Sequence, residues 1–154
     1  MSLPEYRKAL ENYENVAVLT RDLGVLRRAL NIAEYLRDSE AALRLAQIWV
    51  TEEPGNVNAY SKLVENSLRL SLFDVALSGM KDLKKLGATP NFEILPVAMA
   101  NSSMSDKKKV ASLLEELVTS FPDDPGLLIT AANFYSQVSL YNRALTVINA
   151  LLSK

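Results

Sequence analysis

The sequence contains no cysteine and no histidine among its 154 residues. Without cysteine the chain forms no disulfide and offers no thiolate nucleophile or metal ligand. Without histidine it lacks the side chain most often used as a general base and as a metal ligand. It also has no glycine-rich phosphate loop, no metal-spaced cluster and no nucleophile–base arrangement. We therefore expect a protein that is not an enzyme and that uses no cofactor and no metal.

The chain also lacks an excess of either charge and any long apolar run. It has 17 basic and 18 acidic side chains, for a net charge of −1, which argues against nucleic acid or an anionic membrane as the partner. No segment approaches the roughly 18 consecutive apolar residues of a membrane span, so we expect no direct membrane insertion of this segment. Two lysine clusters are expected to be solvated outer faces of helices: Lys81, Lys84 and Lys85, and Lys107, Lys108 and Lys109.

What the sequence does contain is a spacing of 34 residues. Small residues recur at Ala42, Ala76, Val110 and Ala144. Seven positions after each of them comes a large apolar residue: Trp49, Leu83, Leu117 and Leu151. Pro54 and Pro122 differ by twice the same spacing, so the frame holds through the degenerate third copy. A period of 34 without insertion is typical of helix–turn–helix repeats that stack into a solenoid.

Caps and prolines divide the chain into about nine helices, with no strand. The predicted N-caps are Asp22, Asp38 or Ser39, Asp106 and one aspartate of the turn Pro122-Asp123-Asp124-Pro125, and Gly87 is a predicted left-handed C-terminal residue. The frame places a lone helix at about 5–19 and repeats at about 22–55, 56–89, 90–123 and 124–154. In the third repeat, Pro96 predicts a kinked or late-starting helix. Its predicted core residues are Ile94, Val97, Ala98 and Asn101.

The best-preserved repeats carry a pattern of large, small and aromatic positions. The second repeat has Tyr60, Leu63, Val64, Ser67, Ala76, Met80 and Leu83, and the fourth has Leu128, Ala131, Ala132, Tyr135, Ala144, Ile148 and Leu151. On these residues the chain resembles the tetratricopeptide repeat (TPR) family. The resemblance implies an all-α, right-handed α-solenoid of antiparallel helix pairs over residues 1–154. Leu30 and Val64 occupy a slot where glycine is usual, which predicts slightly wider helix pairs there.

In this family the first helix of each pair lines a concave groove that binds an extended peptide or an amphipathic helix. The resemblance therefore implies groove positions at Arg27, Asn31, Glu34, Asn58, Ser61, Glu65, Phe92, Leu95, Met99, Ile129, Asn133 and Ser136. Some family members clamp a peptide carboxylate with basic and asparagine side chains. Arg27 and Asn31 match that clamp in type, but Lys62, Phe92 and Pro96 do not reproduce the remaining positions.

Two functions remain open at this stage. The first is a scaffold or adaptor that binds a protein or peptide in the groove. The second is an assembly module whose apolar array ends form a homo-oligomer or dock within a larger envelope protein.

We expect a fragment of a longer array, because no polar capping helix follows Leu152. The run from Ala33 to Asp38, with Trp49 before Pro54, is similar to TPR-containing lipoproteins of the proteobacterial outer membrane, which favours the periplasm and leaves the compartment open.

Overall fold

The computed structural model describes residues 2–153; Met1 and Lys154, the two ends of the predicted array, lie outside this range. Within it, all regular secondary structure is helical, and the nine helices confirm the all-α prediction. Their bounds are α1 Leu3–Thr20, α2 Leu23–Tyr35, α3 Ser39–Glu52, α4 Val57–Arg69, α5 Phe73–Lys85, α6 Ile94–Ala98, α7 Met104–Ser120, α8 Pro125–Gln137 and α9 Tyr141–Leu152.

The chain divides between Ala88 and Thr89 into two compact units. Unit 1 contains α1 to α5, and each of these helices packs against the next, with a further contact between α1 and α3. Unit 2 contains α6 to α9, in which α7 packs against α8 and α8 against α9. Connections of a few residues, such as Leu70 to Leu72 between α4 and α5, leave consecutive helices antiparallel neighbours.

Three of these turns share one geometry at one repeat position. Arg37, Ser71 and Ser139 all adopt positive φ, between 54° and 61°, and their spacings are 34 and 68 residues. After each comes a backbone hydrogen bond that reaches back five residues, as in Leu72 N–H to Ser67 O at 2.8 Å. This is the Schellman arrangement, which satisfies the carbonyl groups at a helix end. Gly87 ends α5 in the same way, at φ 82°, as predicted.

Side-chain caps begin five of the helices. Asp22, Asp38, Asn56 and Asp124 each accept a hydrogen bond from the backbone N–H three residues later. This confirms the prediction at Asp22, selects Asp38 over Ser39 and Asp124 over Asp123 where the sequence left two candidates, and adds Asn56. The prediction of Asp106 as a cap is wrong. α7 is capped by Ser103, whose hydroxyl accepts from Asp106 N–H at 3.1 Å.

The four small positions of the repeat are all buried, with exposures of 1% for Ala42, 0% for Ala76, and 3% for both Val110 and Ala144. Trp49 is buried as predicted, and its indole N–H donates to Glu53 Oε2 at 2.6 Å. The same carboxylate oxygen accepts from the Asn56 amide at 2.9 Å, and so links the core tryptophan to the cap of α4.

Gly79 on α5 explains how Val64 fits a slot that usually holds glycine. A Cβ added to Gly79 would lie 2.7 Å from Val64 Cγ2, a distance that atoms do not tolerate without moving. The small residue is therefore on the facing helix rather than on α4. Helix α5 can approach α4 closely because one partner of the contact is large and the other lacks a side chain.

The third repeat departs from the predicted register. α6 is a single turn of five residues, and Pro96 lies in it where backbone N–H groups have no helical partner.

The burial of residues around α6 is also the reverse of the prediction. Phe92, Leu95 and Met99 are buried, at 3%, 0% and 0% exposure, whereas Val97 is 75% exposed and Ile94 41%. Phe92, Leu95 and Met99 are therefore core residues and not groove residues. The physical reason is that the larger apolar side chains take the buried side of the short helix.

The contact between Gly79 and Val64 predicts a reversal of sign in a double-mutant cycle. Alone, Gly79→Ala should lower the free energy of unfolding by about 1 kcal/mol, because overpacking outweighs the gain in helix propensity. In a Val64→Ala background the same change should raise it by about 1 kcal/mol, since the clash is gone. Urea denaturation followed by circular dichroism measures both. Gly126→Ala is a control, because its Cβ would meet its nearest neighbour at 3.5 Å. Equal effects in both backgrounds would contradict the packing described.

The reversed register of α6 predicts unequal effects for two neighbouring substitutions. Leu95→Ala should cost about 2–5 kcal/mol of unfolding free energy, because it leaves a cavity. Val97→Ala should change that energy by less than about 0.5 kcal/mol, because the side chain is mostly in water. Chemical denaturation measures the free energy of unfolding of both variants. A larger loss in Val97→Ala than in Leu95→Ala would support the register predicted from the sequence, in which Val97 is a core residue.

Candidate functional site

The first helices of the two repeats in unit 1 carry six of the predicted groove residues. We call this surface the α2–α4 face. Arg27, Asn31, Asn58 and Ser61 are exposed on it, and Glu34 and Glu65 are half-buried. The face is polar, and its middle holds a set of ion pairs.

Lys62 lies between the two acidic residues of this face. Its Nζ is 2.7 Å from Glu34 Oε1 on α2 and 3.7 Å from Glu65 Oε2 on its own helix. Arg69 Nη2 contacts the other oxygen of Glu65 at 2.7 Å. The hydrogen bond to Glu34 is the main cause that raises the pKa of Lys62; the charge of Glu65 adds to it, and burial and Arg69 oppose it. The lysine is therefore charged and already paired.

This pairing leaves no complete carboxylate clamp on the α2–α4 face. Lys62, the third position of the clamp pattern, is held by Glu34 and Glu65. Within the part of the chain that the structure describes, Arg27 has no ion-pair partner; its Nε donates only to Leu23 O, at 3.4 Å. The exposed Arg27, with Asn31 beside it, can form hydrogen bonds to an anionic or carbonyl group of a ligand. These two side chains alone do not surround such a group.

Unit 2 contains a cleft of about 470 Å³ between α6 and α8, which we call the unit 2 cleft. One wall is formed by Glu93, the N-cap residue of α6, and by Pro96. The other wall is α8, including Ile129, Asn133 and Ser136, the three groove residues predicted for the fourth repeat, together with Thr130 and Gln137. The structure thus brings these three predicted residues together, while the predicted residues of the third repeat are replaced by Glu93 and Pro96.

The polar groups of the unit 2 cleft are only partly used by the protein. Ser136 Oγ donates to Ala132 O at 2.9 Å. Thr130 is 2% exposed, and its hydroxyl has no hydrogen-bond partner. Ile129 is 48% exposed and provides an apolar wall. The cleft therefore offers uncharged hydrogen-bonding groups and one apolar surface, with Glu93 as its one titratable lining residue among residues 2–153.

A second, more open cleft of about 370 Å³ lies in unit 1 and is lined by Glu40, Leu43, Arg44, Leu70 and Leu72. Arg44 is held by Glu14 through two hydrogen bonds of 2.6 and 3.2 Å, and this pairing is the main cause that raises the pKa of Arg44. Of the two charged residues in this cleft, Arg44 is therefore paired and Glu40 is exposed, and because the cleft is smaller and more open it is a weaker candidate.

Two observations on the described residues bear on catalytic and metal chemistry. Tyr135 is buried, its hydroxyl has no partner, and burial, with a smaller effect of Glu115, raises its pKa to about 12. It stays protonated at neutral pH and is a poor general base. Between residues 2 and 153, no group of three potential metal ligands comes together. In the same range, no helix is long and apolar enough to cross a membrane.

Sequence reasoning missed Glu93, Thr130 and Gln137 as cleft residues. Thr130 follows the predicted groove residue Ile129, so the register places it away from the groove. Glu93 precedes a helix whose observed register is the reverse of the predicted one. The signal available in the sequence is the spacing of Phe92, Leu95 and Met99, three and four residues apart, which is that of a buried helical face.

Comparison with known proteins supports the repeat assignment. No family model matches the chain. The chain is 26% identical over 140 residues to the TPR repeat-containing protein PA4667 of Pseudomonas aeruginosa. The alignment covers 91% of this chain and 24% of that protein, so the chain spans about a quarter of the length of the relative. With the 34-residue register and the antiparallel helix pairs of each unit, this similarity confirms the resemblance of the chain to the tetratricopeptide repeat family.

Proposed function

We propose that this chain is a non-enzymatic protein-interaction module that binds a peptide or protein segment with the faces of its first helices. The observation that carries the proposal is the unit 2 cleft. It brings Ile129, Asn133 and Ser136 together on one side of a groove and leaves most of their polar atoms available to a ligand. An apolar anchor beside uncharged donors and acceptors is the arrangement that peptide-binding grooves use.

The similarity to a TPR repeat-containing protein supports the same conclusion, because helical repeat arrays use extended surfaces to bind other proteins. The α2–α4 face adds Arg27, Asn31, Asn58 and Ser61 as exposed polar groups. The ion pair between Lys62 and Glu34 joins α4 to α2 beside these groups.

A second candidate function, assembly with another helical element, is favoured by the exposed side of α9. Tyr141, Leu145, Ile148 and Leu152 recur at helical spacing and are 62%, 56%, 37% and 78% exposed. In unit 1 the residues at the register of Leu145 and Ile148 are Leu43 and Ala46, and both are buried with Leu63 of α4. The repeat therefore uses this side of a second helix to pack against another helix.

Peptide selection tests the first function. Peptides selected from a random phage-displayed library against the wild-type chain should lose affinity by about tenfold or more in an Ile129→Ser/Asn133→Ala variant, equal to about 1.4 kcal/mol or more. Fluorescence anisotropy with the selected peptides measures the loss. Both side chains are exposed, so the thermal midpoint should barely change.

The matched control for this test is Leu145→Ser/Asn149→Ala on α9, which removes similar side chains at similar exposure. It should leave peptide affinity unchanged. If the cleft variant binds every selected peptide as tightly as the wild type does, the peptide-binding proposal is wrong.

Light scattering on a sizing column tests the assembly function. The wild-type mass should rise with concentration, and Leu145→Glu/Ile148→Glu should keep the chain monomeric, because a buried carboxylate opposes an apolar contact. A wild-type chain that stays monomeric up to its solubility limit would rule out self-assembly through α9.

A further inference from the structure

The unit 2 cleft contains a buried hydroxyl group that the protein itself does not satisfy. Several helical hydroxyls among the described residues donate to the carbonyl four residues earlier, as Ser67 does to Leu63 at 2.6 Å and Ser136 does to Ala132 at 2.9 Å. Among residues 2–153, Thr130, whose buried side chain lies at the cleft wall, makes no such bond. A buried hydroxyl without a partner is costly, so a ligand group that reached it would remove that cost.

The cleft also contains a carboxylate that the protein leaves unpaired. Within residues 2–153, Glu93 makes no ion pair, and it is exposed at the N-terminal end of α6. The acidic residues of the α2–α4 face differ, since Glu34 is paired with Lys62 and Glu65 with Lys62 and Arg69. A cation brought by a ligand would therefore meet a carboxylate without an ion pair at Glu93, while Glu34 and Glu65 on the α2–α4 face already have partners.

We infer that the unit 2 cleft binds an extended peptide segment that carries a lysine or arginine side chain, with the cation at Glu93 and the peptide backbone at Thr130, Asn133 and Gln137. This inference rests on the proposed protein-binding function and adds the chemistry of the ligand. Amide side chains and hydroxyls match the donors and acceptors of a peptide backbone. A volume of about 470 Å³ lies within the range of small-ligand sites and holds a short stretch of chain.

The same geometry disfavours an acidic ligand in this cleft. Among residues 2–153, no lysine or arginine lines it, and a carboxylate entering it would meet Glu93. A like charge near an unpaired carboxylate is repulsive, and the repulsion weakens in salt. The charge preference should therefore be measurable and should diminish as ionic strength rises.

Fluorescein-labelled, amidated hexapeptide pools test the inference. In each pool one position is fixed as Lys, Arg, norleucine or Glu, and the other positions are random. Against the wild-type chain, the Lys and Arg pools should bind about three- to fivefold more tightly than norleucine, as expected for an exposed ion pair, and the Glu pool should bind more weakly than norleucine. Glu93→Gln should abolish the differences, and Glu93→Lys should reverse them. Glu116→Lys, the same charge change at an exposed position of α7 outside the cleft, should preserve them.

Thr130→Val tests the hydroxyl separately. It should weaken all pools by a similar factor of about three to ten, because each loses a hydrogen bond to the peptide backbone. It should also raise the unfolding midpoint, because the buried unpaired hydroxyl is gone. A purely structural hydroxyl would change the midpoint and leave peptide affinity unaltered.

The outcomes separate this inference from the function on which it rests. If the pools bind and lose affinity in Ile129→Ser/Asn133→Ala, but show no charge preference or the same preference in Glu93→Gln, the cationic ligand is wrong and peptide binding stands. If no pool binds, or if the pools bind the Ile129→Ser/Asn133→Ala variant as tightly as the wild type, both the cationic-ligand inference and the peptide-binding function are wrong. Charge reversal in Glu93→Lys, with Glu116→Lys unchanged, supports both.

Discussion

The close approach of the two helices in the pairs α2–α3, α4–α5 and α8–α9 is the constraint on which the rest of the structure depends. Every pair has a buried small or short residue at the same register, as at Ala42 and Ala76. Where α4 carries Val64 instead of a smaller residue, α5 carries Gly79 directly against it. The space for this contact comes from the missing side chain of Gly79 on α5 and not from a small residue on α4. Because protein interiors are close-packed, side chains on both helices would not fit there without movement.

The turns convert this local contact into a repeat. Arg37, Ser71 and Ser139 hold left-handed conformations that cost energy for residues other than glycine, and the reach-back hydrogen bonds that follow offset this cost. In the third repeat the corresponding residue is Ser105, which lies inside α7. That repeat has instead a one-turn α6 and a helix capped by Ser103. The irregular repeat contributes Glu93 and Pro96 to the unit 2 cleft, so the departure from the register supplies one of its walls.

How well each position could be predicted from the sequence depends on the same packing and capping interactions. The complete repeats could be predicted because buried helical faces and caps leave periodic signals, and Trp49, Asp22 and Gly87 behave as their positions predict. The third repeat could not be predicted by counting 34 residues, because the frame does not detect that a helix has been shortened and rotated. The frame therefore assigns Phe92, Leu95 and Met99 to the wrong side. The pairing of Lys62 with Glu34 joins two helices, and no spacing within one helix predicts it.

The distribution of paired and unpaired polar groups distinguishes the two surfaces. On the α2–α4 face, Lys62 forms ion pairs with Glu34 and Glu65, so a ligand that used those carboxylates would first have to break existing ion pairs. In the unit 2 cleft, the side chains of Thr130 and Glu93 have no partner among residues 2–153, so a ligand group that reaches either one forms a new interaction without breaking an existing one. The free energy of binding reflects the interactions that form with the ligand minus those that must first be broken. The two faces occupy the same register of the repeat, and the ion pairs of one strengthen the scaffold while the unpaired groups of the other favour binding.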